Sequence, residues 1–175
     1  RFSLQLRAWE NLGLACRWEP RQALFRNGRL IPEEDGMERW VGVPSMSSLA
    51  AGLAGDLDIR PLSPVDRILR TRGEWRLYRG EEPLGSCSEL VLAVSPMDAV
   101  RLVPEPLRPA FLGVCAGSFR SCFCVMVHFA EPLGLDFDLV RFDDPVLEQA
   151  VRESSKPHRP GMESWVLQTQ PFWSK

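Results

Sequence analysis

Arg39-Trp-Val-Gly-Val-Pro-Ser-Met-Ser-Ser-Leu49 is the stretch from which the rest of the chain is best read. Ser45 offers a hydroxyl cap for a helix running from about Met46 to Leu53, and Gly55 offers its stop. Ahead of the helix, Trp40-Val-Gly-Val-Pro44 sets an indole beside a glycine and a rigid proline. A flat cofactor could pass closely over such a backbone, and the helix end favours negative charge. An ordinary loop anchored by a buried tryptophan fits the same residues.

On the N-terminal side, Phe2, Leu6, Trp9 and Leu12–Gly13 fall on one helical stripe over residues 2–14. Asn27-Gly28, inside Ala23–Ile31, predicts a hairpin, because both central residues of a type I′ turn need positive φ. Pro32–Gly36 reads as a polar loop. On the C-terminal side, Asp58–Arg60 reads as a short strand, and Val65–Thr71 and Glu74–Tyr78 as strands paired around Arg72-Gly73. Ser88–Val94 is a nearly continuous apolar run of the buried-strand kind. Ser95-Pro96 opens a helix with proline in its first turn, and a second short helix follows Pro104. Arg120–Phe129 and Leu139–Phe142 read as strands. Pro145–Glu153 reads as a helix with Val146, Leu147 and Ala150 on one side, Arg152–Pro160 as a loop and Ser164–Thr169 as a closing strand. Tight turns between neighbouring strands favour an α+β fold, with a mixed, largely antiparallel sheet covered by helices.

The 175 residues suit one domain with a sizeable core, or one domain plus a fragment of another, with globular fractions of 45% hydrophobic and 25% charged residues. A net charge of -2 gives no general pull toward nucleic acid or an anionic membrane, so neither is an expected partner. Only Lys156 and Lys175 are lysines, which leaves nearly all the basic residues as arginine, the better fork for carboxylate or phosphate; biased codon use would do the same. No apolar run reaches the roughly 18 residues of a membrane span. Cys16, Cys87, Cys115, Cys122 and Cys124 form no regular framework, which points to a reducing, cytoplasmic setting. Cys122 and Cys124, in an apolar run, read as buried small hydrophobes, and no metal site is expected. The first residues enter a helical pattern directly, and Phe172-Trp-Ser-Lys175 reads as a helix opening; the chain is expected to be cut at both ends.

A self-contained catalytic site is not legible. Dinucleotide and P-loop glycine signatures are absent, as is a nucleophile elbow. His128 lies within an apolar strand and reads as structural, while Glu33-Glu-Asp35 and Asp143-Asp144 read as solvated turn residues. Ser154-Ser-Lys-Pro-His-Arg-Pro-Gly161 combines hydroxyls, two fixed cations and stiffening prolines. Such a loop either holds an anionic ligand by charge-assisted hydrogen bonds or serves as a solvated connection.

These two segments, with the strands between them, resemble the renalase-like branch of the FAD-dependent amine-oxidase superfamily, and the resemblance runs through nearly all of the chain in the family's order. Arg39–Leu49 is similar to the segment leading from the substrate domain back toward the flavin, Ser63-Pro-Val-Asp-Arg-Ile68 and Glu74-Trp-Arg-Leu77 to two strands that follow it, and Leu90-Val-Leu-Ala-Val-Ser-Pro96 to a segment near the dinucleotide. The resemblance implies FAD contacts from Trp40, Gly42, Pro44, Met46, Val65 (against the adenine), Ala93, Val94 and Pro96. It implies substrate contacts from Ser155, Lys156, Arg159 and Trp165, on the active-site side formed by Ser154–Gly161 and Glu163–Leu167. Ser95 departs from the family pattern by separating Val94 from Pro96, and the N-terminal glycine fingerprint and the closing C-terminal flavin segment are absent.

On this resemblance, residues 1–175 form a substrate-side domain, with crossing segments at about 40–48 and 56–96 belonging to the FAD-binding domain of a longer parent. The parent is expected to oxidise a dihydronicotinamide dinucleotide or an amine by hydride transfer to flavin N5, with oxygen as acceptor. FAD binding by this chain alone is expected to be weak, since a pyrophosphate needs the missing first βαβ unit. A non-catalytic binding module, or an inactive fragment, are the alternatives.

Overall fold

A computed structural model of the chain describes residues 2–115, 119–159 and 161–173. The Cys115 side chain, Pro160 and the final Ser-Lys of the expected helix opening lie outside the described residues. The chain divides into two units, residues 1–57 with 121–175, and residues 58–120.

The first unit opens with α1 (Phe2–Asn11), beyond which Gly13 turns the chain with a φ of 68°. Strand β1 (Ala15–Trp18) follows, then β2 (Gln22–Arg26) and β3 (Arg29–Glu33), joined at Asn27-Gly28 with φ of 52° and 74°. That is the positive-φ pair a type I′ hairpin requires. Strand β4 (Arg39–Gly42) pairs antiparallel with β1, from Ala15 opposite Gly42 to Trp18 opposite Arg39. Trp40–Gly42 is therefore strand rather than loop. Helix α2 (Met46–Ala54) starts at Ser45 and ends at Gly55, as its sequence predicts.

In the second unit, β5 (Arg67–Thr71), β6 (Glu74–Arg79) and β7 (Glu82–Cys87) make an antiparallel meander, followed by α3 (Pro96–Leu102), a 3-10 turn at Glu105–Leu107 and α4 (Arg108–Cys115). Two expectations fail here. Asp58–Arg60 is irregular, and the third strand is β7 rather than Ser88–Val94. The turn at Gly80 (φ 58°) brings Glu82 straight back beside Arg79, so pairing starts six residues before the apolar run. Pro83 and Gly85 disguise β7 by composition, yet an edge strand tolerates both. Val91 is left 90% exposed.

The chain re-enters the first unit through β8 (Cys124–Phe129), β9 (Leu139–Phe142), β10 (Leu147–Arg152) and β11 (Glu163–Thr169). These complete a six-stranded sheet of order β3-β2-β9-β10-β11-β8, antiparallel except for the β2–β9 pair. The α+β architecture and mixed, largely antiparallel sheet are as the sequence predicts. The helix expected at Pro145–Glu153 is strand β10. Its helix-forming residues sit between β9 and β11, and two full ladders outweigh local propensity. The Asp144 carboxylate accepts the Val146 and Leu147 N–H groups at 2.7 and 2.9 Å.

Alternation along the central strands divides the core. Leu139, with Val151 packed against it, meets Trp18, Val41 and Val43; Val140 and Ala150 join Trp165, with Phe25, Phe129 and Phe142 around them. The sheet edge breaks a further expectation. Cys122 and Cys124 are exposed, as is His128, because β8 is the outer strand and gains neighbours only from β11. Among the described residues no helix is long and apolar enough to cross a membrane.

Candidate functional site

The turn from β4 into α2 is the most constrained corner of the first unit. The Val43–Pro44 peptide is cis, and Val43 N–H donates to the Leu14 carbonyl at 3.1 Å. Ser45 has an extended backbone, and its Oγ accepts from Ser48 N–H at 3.3 Å while Ser48 Oγ accepts from Ser45 N–H at 3.2 Å. This reciprocal box satisfies two of the end groups that a helix leaves open. Gly42 is required by space: a Cβ there would stand 2.7 Å from Ser45 O and 2.9 Å from Met46 Cα. Its N–H meets Met46 Sδ at 3.0 Å.

Against this elbow opens a cavity of about 390 Å³, lined by Trp40, Gly42, Met46 and Leu49 on one side and Phe2, Leu6 and Trp9 of α1 on the other. The α1 stripe thus lines a cavity; none of its residues is buried. Trp9 Nε1 and Trp40 Nε1 are buried without an acceptor among the described residues. A second cavity of about 360 Å³ lies around Val43, Pro44, Cys16 and His158. Four residues expected to touch cofactor (Trp40, Gly42, Pro44 and Met46) are therefore gathered at one corner.

The loop after β10 divides its functions. Ser155 Oγ donates to the Arg152 carbonyl at 2.8 Å and accepts from Trp18 Nε1 at 3.3 Å. Lys156 is ion-paired to Glu153 and lies 5.5 Å over the Trp18 ring. Trp165 is core, with its Nε1 donating to Glu163 at 2.6 Å and the Arg152 guanidinium 5.0 Å over its ring. Arg159 alone of the expected substrate residues reaches the elbow, donating to the Gly42 carbonyl at 3.3 Å.

The remaining expected cofactor residues are in the second unit. Val65 is half-buried just before β5, Ala93 and Val94 are exposed in the irregular segment after β7, and Pro96 begins α3 behind its Ser95 cap.

A polar network anchors the loop at its root. Asp138 accepts from Arg21 N–H at 3.0 Å and from its guanidinium at 2.9 and 3.0 Å, while Arg152 lies 3.3 Å from Asp138 and 3.2 Å from Glu163. Burial pushes the Asp138 carboxyl up. The side-chain and backbone hydrogen bonds of Arg21, with the charges of Arg21 and Arg152, outweigh it and hold the group below the usual carboxylate range. Asp35 is likewise no solvated turn residue. The Arg39 guanidinium and then the Met37 N–H hold its carboxyl far below that range, against burial. The Asp138 network has no local signal, since Arg21 and Asp138 stand 117 residues apart, whereas Asp35 and Arg39 are only four apart. Among the described residues no cluster of metal-ligating side chains occurs.

Fold and site together define an α+β unit built on a six-stranded mixed sheet, with an apolar cavity at a strand-to-helix elbow. No protein-family model matches the chain. Its fold is similar to part of the crystal structure of a "putative protoporphyrinogen oxidase" from Exiguobacterium sp. 255-15, with a TM-score of 0.55 and 17% identity over 78% of this chain. The chain spans about a third of that oxidase, the match covering 32% of its length.

Proposed function

We propose that this chain is the substrate-side portion of an FAD-dependent oxidoreductase. The observation that carries the reading is the elbow: Trp40 and Met46 line an apolar cavity on a backbone that leaves no room for a Cβ at Gly42. The order of family-like segments and the fold shared with an oxidase support it. The residues present fit one wall of a flat ring system, with two buried indole N–H groups beside it that have no acceptor among the described residues. They include no glycine-rich cradle for a pyrophosphate, so that task falls to residues beyond this sequence.

When bound, the flavin supplies the hydride-accepting chemistry. The chain's own residues hold and orient. Trp40, Met46 and Leu49 exclude water from the ring face, and the capped Ser45 turn fixes where that wall stands. Residues 58–120, a separate unit, carry Val65, Ala93, Val94 and Pro96, the remaining cofactor residues of this reading. Of the residues expected on the substrate side, Arg159 is assigned to the substrate, while Ser155, Lys156 and Trp165, engaged by Arg152, Glu153 and Glu163, hold the loop that carries it. The substrate is a dihydronicotinamide dinucleotide or an amine, oxygen is the acceptor, and the enzyme is cytoplasmic.

Anaerobic mixing of the parent protein with a reduced dihydronicotinamide dinucleotide, and separately with a primary amine, tests the reading. Bleaching of the visible flavin absorbance by one of them supports it and selects the substrate class. A flavin that neither reduces counts against it.

A further inference from the structure

We infer that Arg159, with His158 beside it, forms the anion-recognition point of this site, and that Lys156 does not. Arg152 is matched by Asp138 and Glu163, and Lys156 by Glu153. Arg159 has no ion pair among the described residues, although it is half-buried. Of its five N–H donors one meets the Gly42 carbonyl at 3.3 Å, and its Nε is buried without an acceptor. A shielded guanidinium with so few partners is costly unless an anion completes it.

Its setting is built. His158 holds φ at 59°, a left-handed conformation unfavourable for a side-chain-bearing residue, directly before Arg159. The same histidine lines the cavity of about 360 Å³ beside Val43 and Pro44, and the hydrogen bond from Arg159 to the Gly42 carbonyl holds the cation at the elbow. A planar fork of N–H groups suits the paired oxygens of a phosphate or a carboxylate. The ligand is thus a molecule carrying one of these groups. This rests on the oxidoreductase reading for the ligand's identity as substrate, but its test needs no flavin, so either can fail alone.

The test follows the Arg159 Nε–H and the Gly42 and His158 amides by two-dimensional NMR while the chain is titrated with inorganic pyrophosphate or with glutarate. Saturable shifts are expected, with pyrophosphate alone marking a phosphate ligand, glutarate alone a carboxylate, and both the shared oxygen fork. Arg159→Ala abolishes the binding, and Arg159→Lys, which keeps the charge and loses the fork, weakens it roughly tenfold. Lys156→Ala leaves affinity within about threefold of wild type, as expected of a cation already paired. The absence of saturable shifts with either probe overturns the proposal, and so does equal loss in the Lys156 and Arg159 variants. If Arg159→Ala does not fold, undiminished affinity in Arg159→Lys overturns it.

Discussion

Replacing Gly42 with alanine tests whether the elbow is as tight as described. The new Cβ would meet Ser45 O at 2.7 Å and Met46 Cα at 2.9 Å. Both are backbone atoms, so no side-chain rotation relieves the overlap and the chain between β4 and α2 must move. Overpacking of this kind costs about 1–3 kcal/mol. With a urea slope of about 2 kcal/mol per molar, the midpoint falls by roughly 0.5–1.5 M. Tryptophan fluorescence is a suitable probe, because only Trp75 of the tryptophans lies outside the first unit. Gly161→Ala is the control in the same unit, since a Cβ there meets nothing within 4 Å and its φ is not positive. That variant should be neutral or slightly stabilising, by up to about 1 kcal/mol. A Gly42→Ala protein as stable as wild type, or a Gly161→Ala protein equally weakened, would refute the reasoning.

Acid should unfold the first unit through Asp35 and Asp138, whose folded carboxyls titrate below the normal range. Their contribution is complete above the unfolded value of about 3.9 and is lost as pH falls through the folded values, so the urea midpoint drops below about pH 4 and drops less in Asp35→Asn and Asp138→Asn; a midpoint flat down to about pH 2 contradicts this. Trp165→Ala removes a side chain left only 5% exposed, together with its Glu163 hydrogen bond and Arg152 stack. It should cost about 3–5 kcal/mol in urea unfolding, and a loss below about 1 kcal/mol would show that Trp165 is not core.

What was legible in the sequence is what local physics decides. Asn27-Gly28 declared its hairpin, Ser45 its helix start and Arg72-Gly73 its turn, because each rests on a φ angle or a cap supplied within four residues. Strand β10 was illegible because Leu147–Arg152 carries helix-forming residues, and only its two neighbours make it a strand. The same limit hid β7, whose Pro83 and Gly85 suit an edge, and misplaced its role onto an exposed apolar run. At the site, Trp40, Gly42, Pro44 and Met46 stood together in the sequence and remain together in space. Composition marked Arg159 and Lys156 only as cations of one loop that either holds an anion or is a solvated connection, and the resemblance alone made them substrate residues. Their different partners were not legible, since only the fold shows Glu153 pairing Lys156 while Arg159 bonds the Gly42 carbonyl. The facing wall from α1 was legible as an amphipathic stripe, but a stripe does not say whether it covers core or cavity.

The central claim is that this fold serves a flavin site to which the elbow gives one wall. The direct measurement is the visible absorbance spectrum of the purified parent protein carrying the chain, taken as isolated and again after incubation with FAD. The account predicts the two visible bands of oxidised flavin, retained through gel filtration and diminished when Gly42→Ala displaces the wall. A colourless protein that takes up no FAD under either condition would contradict it.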